Sequence, residues 1–165
     1  METGHGPQGS GRDQAVAAMR EAERAAAAPY LAYPGLPWWY PAAAGAWFAA
    51  MLLALVRVGA DGAGARNTLA IGLLLAIEVG FFLWLQRSHG AMPWPGVGSP
   101  PAEIGRLWRW WFIGCAVVLI GVALTWWLAG WAAAAVATFV LTTGGIAWYE
   151  RAYQAAAAVV RDRLA

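Results

Sequence analysis

The chain has 165 residues, 61% of them hydrophobic and only 12% charged, with 12 Trp and a net charge of +2. A soluble domain carries about a quarter charged residues, so this composition argues against a water-soluble globule. The 11 basic residues, all Arg, are scattered over several flanks and leave no concentrated footprint for nucleic acid.

Residues 1–12, "METGHGPQGSGR", are Gly-rich and predict a disordered tail with no core to join. Residues 13–28 predict a helix, with Asp13 as candidate N-cap and Pro29 as terminator. Its apolar face is little more than Val16, Met19 and alanines, too thin for strong membrane binding, so a solvated cytoplasmic helix is expected. Residues 29–40 contain Pro29, Pro34 and Pro37, with Pro41 just after, which forbid a continuous helix. Trp38, Trp39 and Tyr40 are expected to anchor this segment along lipid headgroups.

Four apolar runs follow, at about 41–57, 67–86, 110–129 and 131–149. A span needs ~20 largely apolar residues to cover about 30 Å of hydrocarbon at ~1.5 Å per residue. Lipid offers the backbone no hydrogen-bond partner, and these runs lack the alternation of barrel strands, so helices are expected. The predicted fold is an all-α polytopic membrane protein, a four-transmembrane-helix bundle with a short cytoplasmic N-terminal helix. Between the second and third runs, Ile104, Leu107, Trp108 and Trp111 form a helical stripe. It reads as an amphipathic turn, with Trp108, Arg106 and Arg109 as interfacial anchors. Residues 150–165 read as a cytoplasmic tail.

The Arg distribution sets orientation. Arg12, Arg20, Arg24, Arg87, Arg106, Arg109, Arg151, Arg161 and Arg163 fall on one side, against Arg57 and Arg66 on the other. Nine against two places both termini in the cytoplasm by the positive-inside rule, and the absence of Lys with the Ala and Gly richness suggests a high-GC bacterial coding sequence, hence a bacterial inner (plasma) membrane.

Two sets of residues stand out within the runs. Gly72, Ala76 and Gly80 recur every four residues, as do Ala134 and Thr138, giving small-residue stripes suited to close helix packing within the chain or between copies. On the far side of the second run from Ala76 and Gly80 lies Glu78, an acid near the middle of "GLLLAIEVGFFLWLQ". A charge there costs about 2.5–3.5 kcal/mol on insertion scales and needs partners. At matching depth lie Thr142, Thr143 and Trp47, which complete an expected intramembrane polar site, either a structural hydrogen bond or a proton or cation site.

Catalytic signatures are not met. "DGAGAR", Asp61 to Arg66, opens like the D-G-x-x-A-R pattern of membrane CDP-alcohol phosphotransferases, but the downstream Gly and two Asp that complete the metal site are missing. The three Ser residues are expected in loops, where no nucleophile–base arrangement is completed, and His5 and His89 form no metal constellation. No enzyme activity, metal or cofactor is expected. The "LPWWYP" approach to the first run, the short four-span layout and the Arg-flanked ends resemble uncharacterised small integral membrane proteins of actinobacteria. That resemblance implies no activity and no site. Small multidrug resistance transporters share four helices and an intramembrane Glu, but theirs lies in the first helix of a shorter chain. The expected function is a non-enzymatic accessory or scaffold in the membrane, with the lipid bilayer and a membrane protein or a second copy as partners. The alternative is a small transporter or proton- or cation-linked channel using Glu78.

Overall fold

The computed structural model describes residues 8–62, 64–89, 96 and 98–165. These residues form four helices, α1 (Gln8–Leu31), α2 (Tyr40–Asp61), α3 (Ala65–His89) and α4 (Ala102–Leu164). Three of them, α2, α3 and α4, are long and apolar enough to cross a membrane. Residues 1–7 of the expected tail, and most of the connection between α3 and α4, lie outside the described residues.

Local sequence explains where the helices begin and end. Pro41 sits in the first turn of α2, where its missing N–H is not needed and its fixed φ suits a helix. At the other end the Gly62 N–H bonds the Val58 carbonyl at 3.0 Å, and the Asn67 amide then donates to the Gly62 carbonyl at 3.1 Å. α2 and α3 run antiparallel, with Tyr40 against Phe81 and Trp47 against Leu74. Pro29, expected to stop α1, lies inside it, and the helix runs on to Leu31. Its start is also earlier than Asp13, because residues 8–12 are helical and not part of a loose tail.

One non-helical residue interrupts α4. Gly130 has φ 83° and ψ 178°, a conformation that a side chain would disfavour. The chain doubles back there. Leu141 packs 3.2 Å from where a Cβ on Gly121 would lie, and the rings of Trp111 and Tyr149 are 6.3 Å apart. In a straight helix residues 121 and 141 would be separated by about 30 Å. The two limbs, 102–129 and 131–164, therefore lie antiparallel. The second limb does not end at 149: residues 150–164 continue it as helix, where a tail was expected.

The helices do not form a symmetric bundle. α2 packs on both α3 and α4, whereas α3 packs on α2 alone and α1 on α4 alone. Gly45 and Trp47 explain this arrangement. Gly45 abuts Thr143 and Phe139 on the second limb of α4, while the Trp47 indole donates to the Leu74 carbonyl of α3 at 2.9 Å. Two residues apart is about 200° around a helix, so α2 carries its neighbours on opposite faces.

The contiguous buried cluster lies away from the apolar segments. Tyr30, Ile104, Leu107, Trp108, Tyr153 and Ala157 form it, with Leu31, Tyr33 and Tyr149 packed against it. It joins the end of α1 to the first turns of the first limb and the last turns of the second. Within the three apolar windows, in contrast, at most 6% of residues are buried inside the molecule. Side chains such as Leu69, Leu73, Val117, Leu119 and Val136 face outward, as suits a hydrocarbon environment.

Candidate functional site

Glu78 lies on the inner stripe of α3. The side chains of Asn67, Ile71, Leu74, Glu78, Phe81 and Leu85 are the shielded ones at helical spacing, and this stripe faces α2. Tyr40 of α2 stacks on Phe81 with ring centroids 5.0 Å apart and interplanar angle 17°. Trp47 anchors the same interface about two helical turns further along, through the Leu74 carbonyl and not through Glu78.

The expected four-residue polar site is thus divided by α2. Glu78 and Trp47 lie along the α2–α3 contact, while Thr143 meets α2 on the opposite face at Gly45. The buried Thr143 Oγ1 has no hydrogen-bond partner. Thr142, its neighbour, is half-buried. Equal depth in the sequence map did not bring these residues together, because depth says nothing of which helix lies between them.

The two small-residue stripes also differ. Ala134 and Thr138 are buried, with the Thr138 hydroxyl donating to the Ala134 carbonyl at 2.8 Å. Gly72 and Gly80 face outward, with no atom within 4 Å of where a Cβ would sit, and Ala76 is exposed. Packing of α3 within the chain uses the Glu78 face instead. Gly45, not among the expected packing residues, makes a close helix approach: a Cβ there would collide with Thr143 Oγ1 and lie 2.8 Å from the Phe139 carbonyl oxygen. Gly45 and Ala49 are four residues apart, but this spacing does not stand out in a run so rich in alanine.

The terminal ends of the molecule hold a denser polar arrangement. Glu150, on the second limb of α4, accepts hydrogen bonds from the Tyr33 hydroxyl at 3.2 Å, the Leu36 backbone N–H at 3.3 Å and the Gln154 amide at 3.1 Å. Gly35, at φ 88°, lets the Pro-rich segment pass this close, since a Cβ would lie 2.8 Å from Glu150 Oε1. Burial raises the Tyr33 hydroxyl well above its ordinary pKa of 10, and the Glu150 charge pushes the same way. Tyr153 is raised as well, first by burial and then by Tyr149 and Glu150. Its hydroxyl donates to the Tyr30 carbonyl at 3.0 Å, tying α1 to α4. At the rim Arg163 pairs with Glu23 at 2.6 Å and lies 3.5 Å from Glu103, and the Arg24 side chain donates to the Leu164 carbonyl at 2.8 Å.

The interfacial anchors separate on inspection. Trp38 is 91% exposed and Trp39 40%, free to meet headgroups, and Arg106 and Arg109 are exposed. Tyr40 is half-buried against Phe81. Trp108 is only 5% exposed and belongs to the core, because the first limb turns that face toward Tyr30 and Tyr153. Its indole N–H lies near the Tyr149 hydroxyl without completing a hydrogen bond. Among the described residues no three His, Cys, Asp or Glu side chains come together as a metal site. No protein family, curated protein or solved structure matches this chain.

Proposed function

We propose that this chain is a four-span integral membrane protein of a bacterial inner membrane, with both termini cytoplasmic. In this reading each limb of α4 crosses once, and the protein acts as a non-enzymatic accessory or scaffold for a membrane partner. One observation carries the reading: the contiguous buried core fixes α1 to the two ends of α4, outside the apolar segments. Residues 11–22 of α1 remain exposed beyond this anchor and the rim contacts of Glu23 and Arg24, so a held helix presents charged and small side chains. A docked but uncovered helix suits presentation to another protein.

Glu78 supports the rival reading of a proton- or cation-linked transporter, since an acid in an apolar span is a functional lead. Its half-buried position beside Tyr40 and Phe81, with the threonines on the far side of α2, fits a structural contact better. Glu78→Gln keeps the hydrogen-bonding shape and removes titration. Purified protein in liposomes under an imposed pH or cation gradient should show no flux that depends on Glu78. A wild-type flux abolished in a stably folded Glu78→Gln protein would replace the scaffold reading with transport.

A further inference from the structure

At the end of the molecule opposite the termini, α2, α3 and the α4 turn enclose an open cavity of about 490 Å³. Its lining is graded. Arg57, Gly64, Arg66 and Asn67 line it near the ends of α2 and α3, and Leu53, Ala54 and Ala70 line it further from those ends, with Val56 and Trp131 alongside. Leu53 precedes Arg57 by four residues and Ala70 follows Arg66 by four, so each apolar residue lies about 6 Å deeper along its helix than the corresponding Arg.

We infer that this cavity binds a phospholipid with an anionic headgroup, its phosphate held by Arg57 and Arg66 and the start of an acyl chain lying against Leu53, Ala54 and Ala70. Three observations converge. Both Arg side chains are exposed and line the same cavity. Guanidinium groups offer paired N–H donors that match phosphate oxygens, and they do so without the strong hydration of an ammonium. The cavity also lies where the apolar stretches of α2 and α3 end, which is headgroup level for a membrane-embedded helix pair. A polar rim over an apolar wall one turn deeper fits an amphiphile, whereas a free phosphate would use only the rim. Trp131 adds an amphipathic ring of the kind that favours the membrane interface.

The test is native mass spectrometry of the full chain in detergent, titrated with phosphatidylglycerol or with phosphatidylcholine of the same acyl chains. Wild type should retain phosphatidylglycerol in preference to phosphatidylcholine. Arg57→Gln/Arg66→Gln should weaken phosphatidylglycerol binding by about tenfold or more, as expected for loss of charge-assisted hydrogen bonds, and leave phosphatidylcholine binding unchanged. Arg12→Gln/Arg20→Gln, on the exposed part of α1, serves as the control and should preserve the preference. Circular dichroism and gel filtration should show each double variant folded; if the Gln pair fails to fold, Arg57→Lys/Arg66→Lys replaces it and should lose part of the preference, since the charge stays but the paired donors go. An unchanged preference in the Arg57/Arg66 variant overturns the proposal. So does Arg-dependent binding of inorganic phosphate with no lipid retained, which would mark the rim as a site for free anions.

Discussion

Gly45 gives the sharpest test of how the apolar helices are assembled. In Gly45→Ala the new methyl group meets Thr143 Oγ1 and a backbone oxygen of Phe139 at 2.8 Å, with Phe139 Cδ2 at 3.3 Å. The Thr143 side chain is able to rotate, but the carbonyl belongs to the α4 backbone, so α2 must move outward. Overpacking of this kind costs about 1–3 kcal/mol. Against it stands the better helix propensity of Ala, at most about 1 kcal/mol. Gly72→Ala and Gly80→Ala share that propensity gain and meet no atom within 4 Å. Gly45→Ala should therefore be less stable than Gly72→Ala by about 1–3 kcal/mol, or roughly 5- to 150-fold in the folding equilibrium. Reversible unfolding in mixed micelles measures the difference. Thr143→Ala in the Gly45→Ala background should recover part of the loss, since it removes one of the two clashing atoms and also a buried hydroxyl with no partner. Equal stability of the Gly45 and Gly72 variants would refute this placement of α2 against α4.

Two further predictions concern the terminal core. Tyr153→Phe should cost about 1–3 kcal/mol, because it leaves the buried Tyr30 carbonyl unpaired; faster proteolysis within α1 than in wild type reports the loosened helix. Stability should also fall in alkali. With Tyr33 and Tyr153 raised above 10 in the folded state, unfolded tyrosines lose protons first, so stability is intact below about pH 10 and declines as pH rises toward the folded values. Tyr33→Phe should make that decline shallower, measured by unfolding at a series of pH values from 8 to 12; an equally steep decline would exclude Tyr33 as a contributor.

The residues themselves show which features a sequence discloses. The stripe of Ile104, Leu107 and Trp108 was legible as one helix face, since spacing fixes which side chains share a side. Its burial partner was not, and the face that suggested a membrane surface instead meets Tyr30 and Tyr153. The helix through 150–164 had a signal in Tyr153, Ala157 and Val160 at i, i+4 and i+7, all now buried, with no Pro or Gly to stop it. Gly130 stood out as the break between two apolar runs, and the chain does reverse there. Glu78 was visible as an exception to an apolar run, but its neighbours were not, because they depend on α2 lying between α3 and α4. Hydropathy reports depth along the membrane normal; lateral order comes from shape, and at Gly45 that shape is the absence of one methyl group.

The central claim, a chain of four crossings with its termini and packed core on one side, is tested most directly by thiol accessibility. In a Cys115→Ala background, which removes the only native thiol, single cysteines replace Ala65, Ala129 and Ala165. Ala65 begins α3, Ala129 precedes the α4 reversal and Ala165 ends the chain. A membrane-impermeant maleimide applied to intact spheroplasts should label the first two positions, and should reach Ala165→Cys only after permeabilisation. Labelling of Ala129→Cys and Ala165→Cys from the same side would contradict the account, because the second limb of α4 would then not cross the membrane.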